Sequence, residues 1–295
     1  MTQSTTFWSA ISQSISAATA TPFTVRGTNT LGGGCINTTY MVEDGPRRYF
    51  IKVNDTSRLA MFEAEAAGLI ALARPQALRV PTPVAIGVTG EFSFLVLEYL
   101  DLRDANSTSM ESLGRGLAIL HRTTQDCFGW CLNNTIGTTP QHNSETSDWI
   151  EFWRTHRLGF QLHLARRESL LMHRGESLLA ALPAFFVDYH PQPALLHGDL
   201  WGGNIAMTRT GEPVIFDPAV YYGDRETDLA MTELFGGFNE RFYAAYNEAW
   251  PLDSGYELRK QLYNLYHILN HFNLFGGGYA HQSACMIDHL LSEIG

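Results

Sequence analysis

The sequence predicts an α+β protein of two lobes: a small antiparallel β-sheet lobe with one main helix over residues 1–100, then a larger, mostly helical lobe over residues 101–295. Three observations predict it. Strand-like segments bounded by turn residues crowd the first hundred residues, one amphipathic helix interrupts them, and beyond Asp101 the pattern changes to long helical runs broken by one strand-bearing stretch, Leu195 to Ala219.

Taken in order, FTVRGTNTL and INTTYMVED read as strands, and a turn at Gly45 and Pro46 leads into a third, RRYFIKV. From Ser57 to about Ala73 the residues Leu59, Phe62, Ala66, Leu69 and Ala73 recur at helical spacing, and Pro75 supplies the stop. PVAIGVTG then turns at Gly90 into EFSFLVLEYL, a hydrophobic strand that runs into the lobe boundary near Leu100. Helices are expected around Ser112 to His121, Asp148 to Ser169 and Gly175 to Tyr189, and again from the end of the strand-bearing stretch onward. No internal repeat or low-complexity linker separates the lobes.

Composition narrows the function. A chain of 295 residues with 45% hydrophobic and 12% aromatic content can build cores in both lobes. The net charge of −10, with no run of Lys or Arg, removes the electrostatic footprint of a nucleic-acid or anionic-membrane binder, so neither partner is expected. The N-terminal stretch has no basic residue before Arg26, which argues against a secretory signal, and no segment reaches the roughly 18 apolar residues of a membrane span. A cytoplasmic protein is expected. Cys35, Cys127, Cys131 and Cys285 are too scattered for a disulfide framework; Cys127 and Cys131 have zinc-like spacing but lack a second ligand pair, so ordinary thiols are expected.

The stretch LLHGDLWGGNIAMTRTGEPVIFDPA carries the chemistry. His197 to Asn204 fits H-x-D-x-x-x-x-N, the catalytic-loop pattern of kinases, with Gly198 in place of arginine. Phosphoryl transfer needs a carboxylate to accept the proton of the attacking hydroxyl, a role for Asp199, and oxygen ligands for Mg²⁺, a role for Asn204 and Asp217 at the ends of two short strands. The alternative is an Asp and an Asn that serve turns.

A kinase reading makes demands on the first hundred residues. Gly32, Gly33 and Gly34 lie between two strand patterns, where bare backbone can approach phosphates, although the loop does not fit GxGxxGxV and an ordinary hairpin turn is the alternative. Lys52 lies in the following strand. Of the two glutamates on the helix, Glu65 falls about 60° from Phe62 and Glu63 about 90° from the apolar face, which makes Glu65 the expected partner of Lys52. Glu98, Tyr99 and Leu100 end the hydrophobic strand at the boundary, where a kinase hinge offers backbone groups to adenine. ATP and Mg²⁺ are the cofactors this pattern requires.

With GGGCIN, FIKVN, MFEAE, LLHGDLWGGN, IFDPAVYYGDRETDLAM, LFGGF and LYHILNHFNLFG in place, the chain resembles the fructosamine kinase (ketosamine 3-kinase) family, relatives of aminoglycoside phosphotransferases. The resemblance covers nearly the whole length. It implies a protein-kinase-like fold, with ATP binding in the first lobe and catalysis and acceptor binding in the second, and ATP-dependent phosphorylation of the sugar 3-hydroxyl of free or protein-bound ketosamines. Asp224 stands where many eukaryotic members carry histidine and bears on the preferred sugar. Trp201 is a stacking platform for the acceptor in this reading, with core packing as the alternative. The Tyr221 to Asp228 run, Asn270 and His271 could also line that site, His271 having a core role as its alternative. Asp228 has an alternative role as an anchor of the catalytic loop. Cys35, in the glycine-rich turn, is a candidate redox switch or a small packing residue. A same-fold kinase of another small alcohol or an aminoglycoside, and an inactive nucleotide-binding module, are the competing functions.

Overall fold

A computed structural model describes residues 5–32, 36–104, 107–167 and 169–295. The chain runs α1 (Thr5–Thr19), β1 (Gly27–Leu31), β2 (Thr38–Glu43), β3 (Arg48–Asp55), α2 (Leu59–Ala73), β4 (Pro83–Thr89), β5 (Phe92–Glu98) and β6 (Leu102–Arg103). It continues with α3 (Ser107–His121), β7 (Asn134–Ile136), β8 (Thr139–Gln141), α4 (Trp149–Phe152), α5 (Gly159–Leu164), α6 (Ser169–Ala181), β9 (Ala194–Leu196), β10 (Ile205–Thr208) and β11 (Pro213–Ile215). The last elements are β12 (Tyr221–Gly223), α7 (Glu226–Leu234), α8 (Glu240–Ala249), α9 (Tyr256–Phe275) and α10 (Tyr279–Glu293).

Two compact units result: Met1–Asp104 with Ala206–Phe216, and Ala105–Ile205 with Asp217–Gly295. The sequence reading cut the chain once, near Leu100. The structure returns the β10–β11 hairpin to the first unit, because β10 pairs antiparallel with β6 and Val214 of β11 bridges Arg79.

The first unit is built on an antiparallel sheet of order β1-β2-β3-β5-β4. Strand alternation separates two faces. On one, Tyr40, Val42, Ile51, Val53, Phe94 and Val96 pack with Phe7, Ile11 and Ile15 of α1. These three residues, four apart, form one stripe of α1, and their burial contributes on the order of 1.5–3 kcal/mol each. α1 is an addition to the one main helix expected; its Phe-Ile-Ile stripe was there to be read. A 3₁₀ turn, Thr56–Arg58, capped by the Asp55 side chain accepting from the Ser57 amide, leads into the main helix α2.

The second unit packs its helices around Trp149, Phe152, Trp153, Tyr221, Tyr263 and Leu269, among others. The helix expected from Asp148 to Ser169 is segmented: α4 passes through a π-helical stretch, Trp153–Leu158, into α5. Arg157 lies in that stretch, fully buried, its guanidinium 3.9 Å from the Tyr221 ring centroid and 4.6 Å from that of Phe152. The helix expected to end at Tyr189 stops at Ala181 and tightens into a 3₁₀ turn, Leu182–Phe186, that contains Pro183. Among the described residues no helix is long and apolar enough to cross a membrane.

Candidate active site

In the second unit β9 and β12 pair antiparallel, with Leu196 opposite Tyr221. The pairing lays the turn after β9 beside the turn before β12, and the Ala219 amide donates to the His197 carbonyl at 2.8 Å. Gly198 fills the narrow gap with φ +82°; a methyl group there would stand 2.0 Å from the Ala219 carbonyl oxygen. That contact is why glycine replaces the arginine of the kinase pattern.

Asp199 follows. Burial raises its pKa and the nearby charge of Asp217 raises it further, to about 7. Asn204 leads into β10 and Asp217 trails β11, so the hairpin brings its two feet together. The Asn204 amide nitrogen donates to the Asp199 carbonyl at 2.8 Å and to the Asp199 carboxylate at 3.2 Å, which leaves its Oδ1 without a donor among the described residues. Asp217 has φ +56°, a left-handed conformation that Asp and Asn tolerate better than other side chains. Two carboxylates close enough to feel each other's charge and a spare amide oxygen form a hard-oxygen set of the kind Mg²⁺ takes.

Asp228 holds the loop. Its oxygens accept from the His197 amide at 2.7 Å and the Gly198 amide at 2.8 Å, and one also meets His121 Nε2 at 3.2 Å. Burial works to raise the Asp228 pKa, but the hydrogen bond and charge interaction with His121 and the Gly198 amide outweigh it and hold the carboxyl below its usual range. A carboxylate only accepts, so His121 Nε2 is the donor. His121 Nδ1 meets the Tyr246 hydroxyl at 2.8 Å, and that hydroxyl accepts in turn from Arg225 at 3.2 Å. The anchoring role weighed for Asp228 is the one its hydrogen bonds support.

Trp201 is 39% exposed, which removes core packing as its explanation. Its indole lies against Gly203, where a methyl group would come within 2.3 Å of the ring, and stands edge-on to Phe235 with centroids 6.4 Å apart. In the first unit, Lys52 is buried between Thr39 and Leu95 in register, and its Nζ lies 2.7 Å from Glu65 Oε1 on α2. Glu63, the competing glutamate, is not in that pair. The Glu98 carboxylate accepts from Arg79 at 2.6 Å and from the Thr82 amide at 2.7 Å, and its own amide donates to the Thr82 carbonyl. The Glu98 N–H is therefore committed and is not the group an adenine meets. Tyr99 packs under the Arg48 guanidinium at 4.6 Å and Leu100 is half-buried. Gly32 is exposed; Gly33, Gly34 and Cys35 lie outside the described residues.

The sequence profile of the fructosamine kinases matches residues 7–293. The chain belongs to the fructosamine kinase family. It is accordingly an ATP-using phosphotransferase. A protein of Synechocystis named as a probable ketoamine kinase is 49% identical over 96% of this chain and 97% of its own length. The chloroplastic protein-ribulosamine 3-kinase of Arabidopsis thaliana is 44% identical over 88% and 81%. Among solved structures, a protein of Haemophilus somnus provisionally assigned as a fructosamine-3-kinase superposes with a TM-score of 0.90 at 30% identity, covering 96% of this chain and 97% of that one. The choline kinase LicA of Streptococcus pneumoniae, at 16% identity and a TM-score of 0.60, shares the kinase-like fold over 96% of this chain and 98% of its own.

Within this member of the family two expected acceptor residues are corrected. Asp224 is 1% exposed and its oxygens accept from Tyr189 at 2.9 Å, Tyr263 at 2.5 Å and the Glu226 amide at 3.0 Å, so its hydrogen-bonding capacity is spent inside the second unit. Asn270 is 3% exposed, accepting from Gln161 and donating to the Ile136 carbonyl. His271 is only partly buried; its ring packs on Phe235, Phe275 and Tyr279. Its Nδ1 faces the His267 carbonyl at 2.8 Å and must donate there, so in the neutral ring Nε2 carries the lone pair. His121 and Tyr246 are the residues sequence reasoning missed. The sole signal for His121 was its place as the last residue of a predicted helix, far along the chain from Asp228.

Proposed function

We propose that this enzyme transfers the γ-phosphoryl group of ATP to the 3-hydroxyl of ketosamines. The observation that carries the acceptor reading is the exposed Trp201 indole, two residues from the half-buried Asp199 carboxylate of the kinase pattern; the names of the Synechocystis and Arabidopsis relatives support the same class. In this reading the first unit serves the nucleotide: Lys52, oriented by Glu65, pairs with its phosphates, and backbone groups around Gly32 and after Glu98 contact it. The second unit serves the acceptor. Asp199 accepts the proton as the sugar hydroxyl attacks, and a basicity near neutrality suits that task. Asn204 Oδ1 and the Asp217 carboxylate would hold Mg²⁺, which would supply positive charge to offset that of the phosphates. Asp228, fixed by His121, positions the loop. Trp201 and His271 receive the sugar and its amine-bearing carbon.

The product explains the activity. With phosphate on C3, enolisation across C1 and C2 expels phosphate, and hydrolysis then frees the amine. The test is a comparison of kcat/KM on ribulosamine or erythrulosamine with the corresponding free ketose. A preference of at least about tenfold, ~1.4 kcal/mol in transition-state binding, is expected, and Trp201→Ala narrows it. Choline or an aminoglycoside outcompeting every ketosamine would overturn the acceptor reading.

The metal assignment has its own test. Asn fits a left-handed backbone as readily as Asp, so Asp217→Asn removes the charge without distorting the turn. The Mg²⁺ concentration for half-maximal activity is expected to rise at least about tenfold, equivalent to ~1.4 kcal/mol of binding. An unchanged magnesium requirement would remove Asp217 from the ligand set.

A further inference from the structure

Among the 20 lysines and arginines of this chain, only Lys52 and Lys260 are lysines; every other basic residue is arginine. Neither lysine presents a free amine. Lys52 is 4% exposed with its Nζ on Glu65, and the Lys260 side chain, 13% exposed, places its Nζ 2.7 Å from Glu233 and 2.6 Å from Glu257. Burial works against the Lys260 charge, but the hydrogen bonds to Glu233 and Glu257 prevail and hold its pKa above the ordinary lysine value. Arginines carry the exposed positive charge instead, Arg74 at the end of α2 and Arg241 in α8 among them.

This distribution bears on the chemistry that makes ketosamines. The lone pair of an unprotonated primary amine attacks the carbonyl carbon of an aldose, and water leaves to give an imine. A proton then leaves C2 and another is taken up at C1, which places the carbonyl at C2 with no oxidant or reductant. A guanidinium stays protonated and does not supply that lone pair. An ammonium held by carboxylates seldom does, since each unit of pKa increase lowers the neutral fraction about tenfold.

We infer that this enzyme is refractory to glycation of its own side chains: its internal lysines are closed to aldoses, so it neither loses Lys52 to the damage nor becomes its own substrate. The resistance follows from the side chains alone and rests on the ketosamine reading only for its biological sense. It also makes the Lys52–Glu65 pair protective, since an adduct on Lys52 would put a sugar chain on the nitrogen proposed to meet the nucleotide and force it out of its buried place beside Glu65.

The test incubates the purified protein with excess ribose in the absence of nucleotide and follows adducts by intact mass and peptide mapping, with the terminal amine scored separately. The wild type is compared with an Arg74→Lys/Arg241→Lys variant, which places amines at two exposed positions remote in sequence from the catalytic loop. Positions 74 and 241 of the variant are expected to gain adduct at least about tenfold faster than Lys52 or Lys260, and the wild type to keep its activity. Adduct on Lys52 or Lys260 at a rate like that of the introduced lysines overturns the inference, as does a variant whose new lysines react no faster than the buried pair. Mg·ATP is then added to the glycated variant. Failure to phosphorylate its adducts would count against the ketosamine reading and leave the resistance standing.

Discussion

Asp199→Asn lowers kcat by about 10³-fold while the affinity for Mg·ATP changes little, because a general base acts on the acceptor hydroxyl and contributes about 10²–10⁴-fold. The amide is the informative replacement. Its oxygen can still accept the Asn204 hydrogen bond, so the loop keeps its shape while the basic oxygen is lost. Stability supplies the control: the wild-type carboxylate is disfavoured by burial and by Asp217, so its neutral isostere is not expected to lower the melting temperature. Single-turnover kinetics with a saturating ketosamine, beside calorimetric titration with Mg·ATP, separate chemistry from binding. Activity near that of the wild type would remove Asp199 from the catalytic role.

Gly198→Ala has the largest structural effect expected. The new methyl group would meet the Ala219 carbonyl oxygen at 2.0 Å, and the residue would also have to hold φ +82°. The conformation alone costs about 1–3 kcal/mol in a non-glycine residue. Relief requires that the loop move off β12, which breaks the amides of His197 and Gly198 away from Asp228. A loss of about 3 kcal/mol or more in urea denaturation is expected, with kcat falling at least as far as in Asp199→Asn. Gly211→Ala isolates the clash: Gly211 has φ +85° with nothing near its would-be Cβ, so its cost is confined to backbone strain, about 1 kcal/mol, and activity survives. If the two substitutions cost the same, the contact with Ala219 is not what fixes the loop.

Much of this arrangement could be read from the chain because its information is local. The spacing of His197, Asp199, Asn204 and Asp217 lies within one short stretch, and the angular position of Glu65 on α2 distinguished it from Glu63 before any contact was known. What escaped had a different character. His121 and Tyr246 reach Asp228 from elements more than a hundred residues before it and about twenty after it, and neither has a local pattern that sets it apart from an ordinary core residue. Asp224 and Asn270 misled for a related reason: a polar side chain among apolar neighbours reads the same whether it faces a ligand or is satisfied by buried tyrosine and glutamine partners. α1 was missed although its stripe is regular, because serine, threonine and alanine between the apolar positions gave little helical contrast.

The return of the β10–β11 hairpin to the first unit has a consequence for synthesis on the ribosome. A chain that has emerged only to Asp104 holds the five-stranded sheet but not the strands that β6 and Arg79 require. More than half of the second unit must be translated before Ala206–Phe216 can close the first. The N-terminal unit is therefore begun first and cannot be closed until the hairpin arrives, and β6 waits as an unpaired edge for about a third of translation.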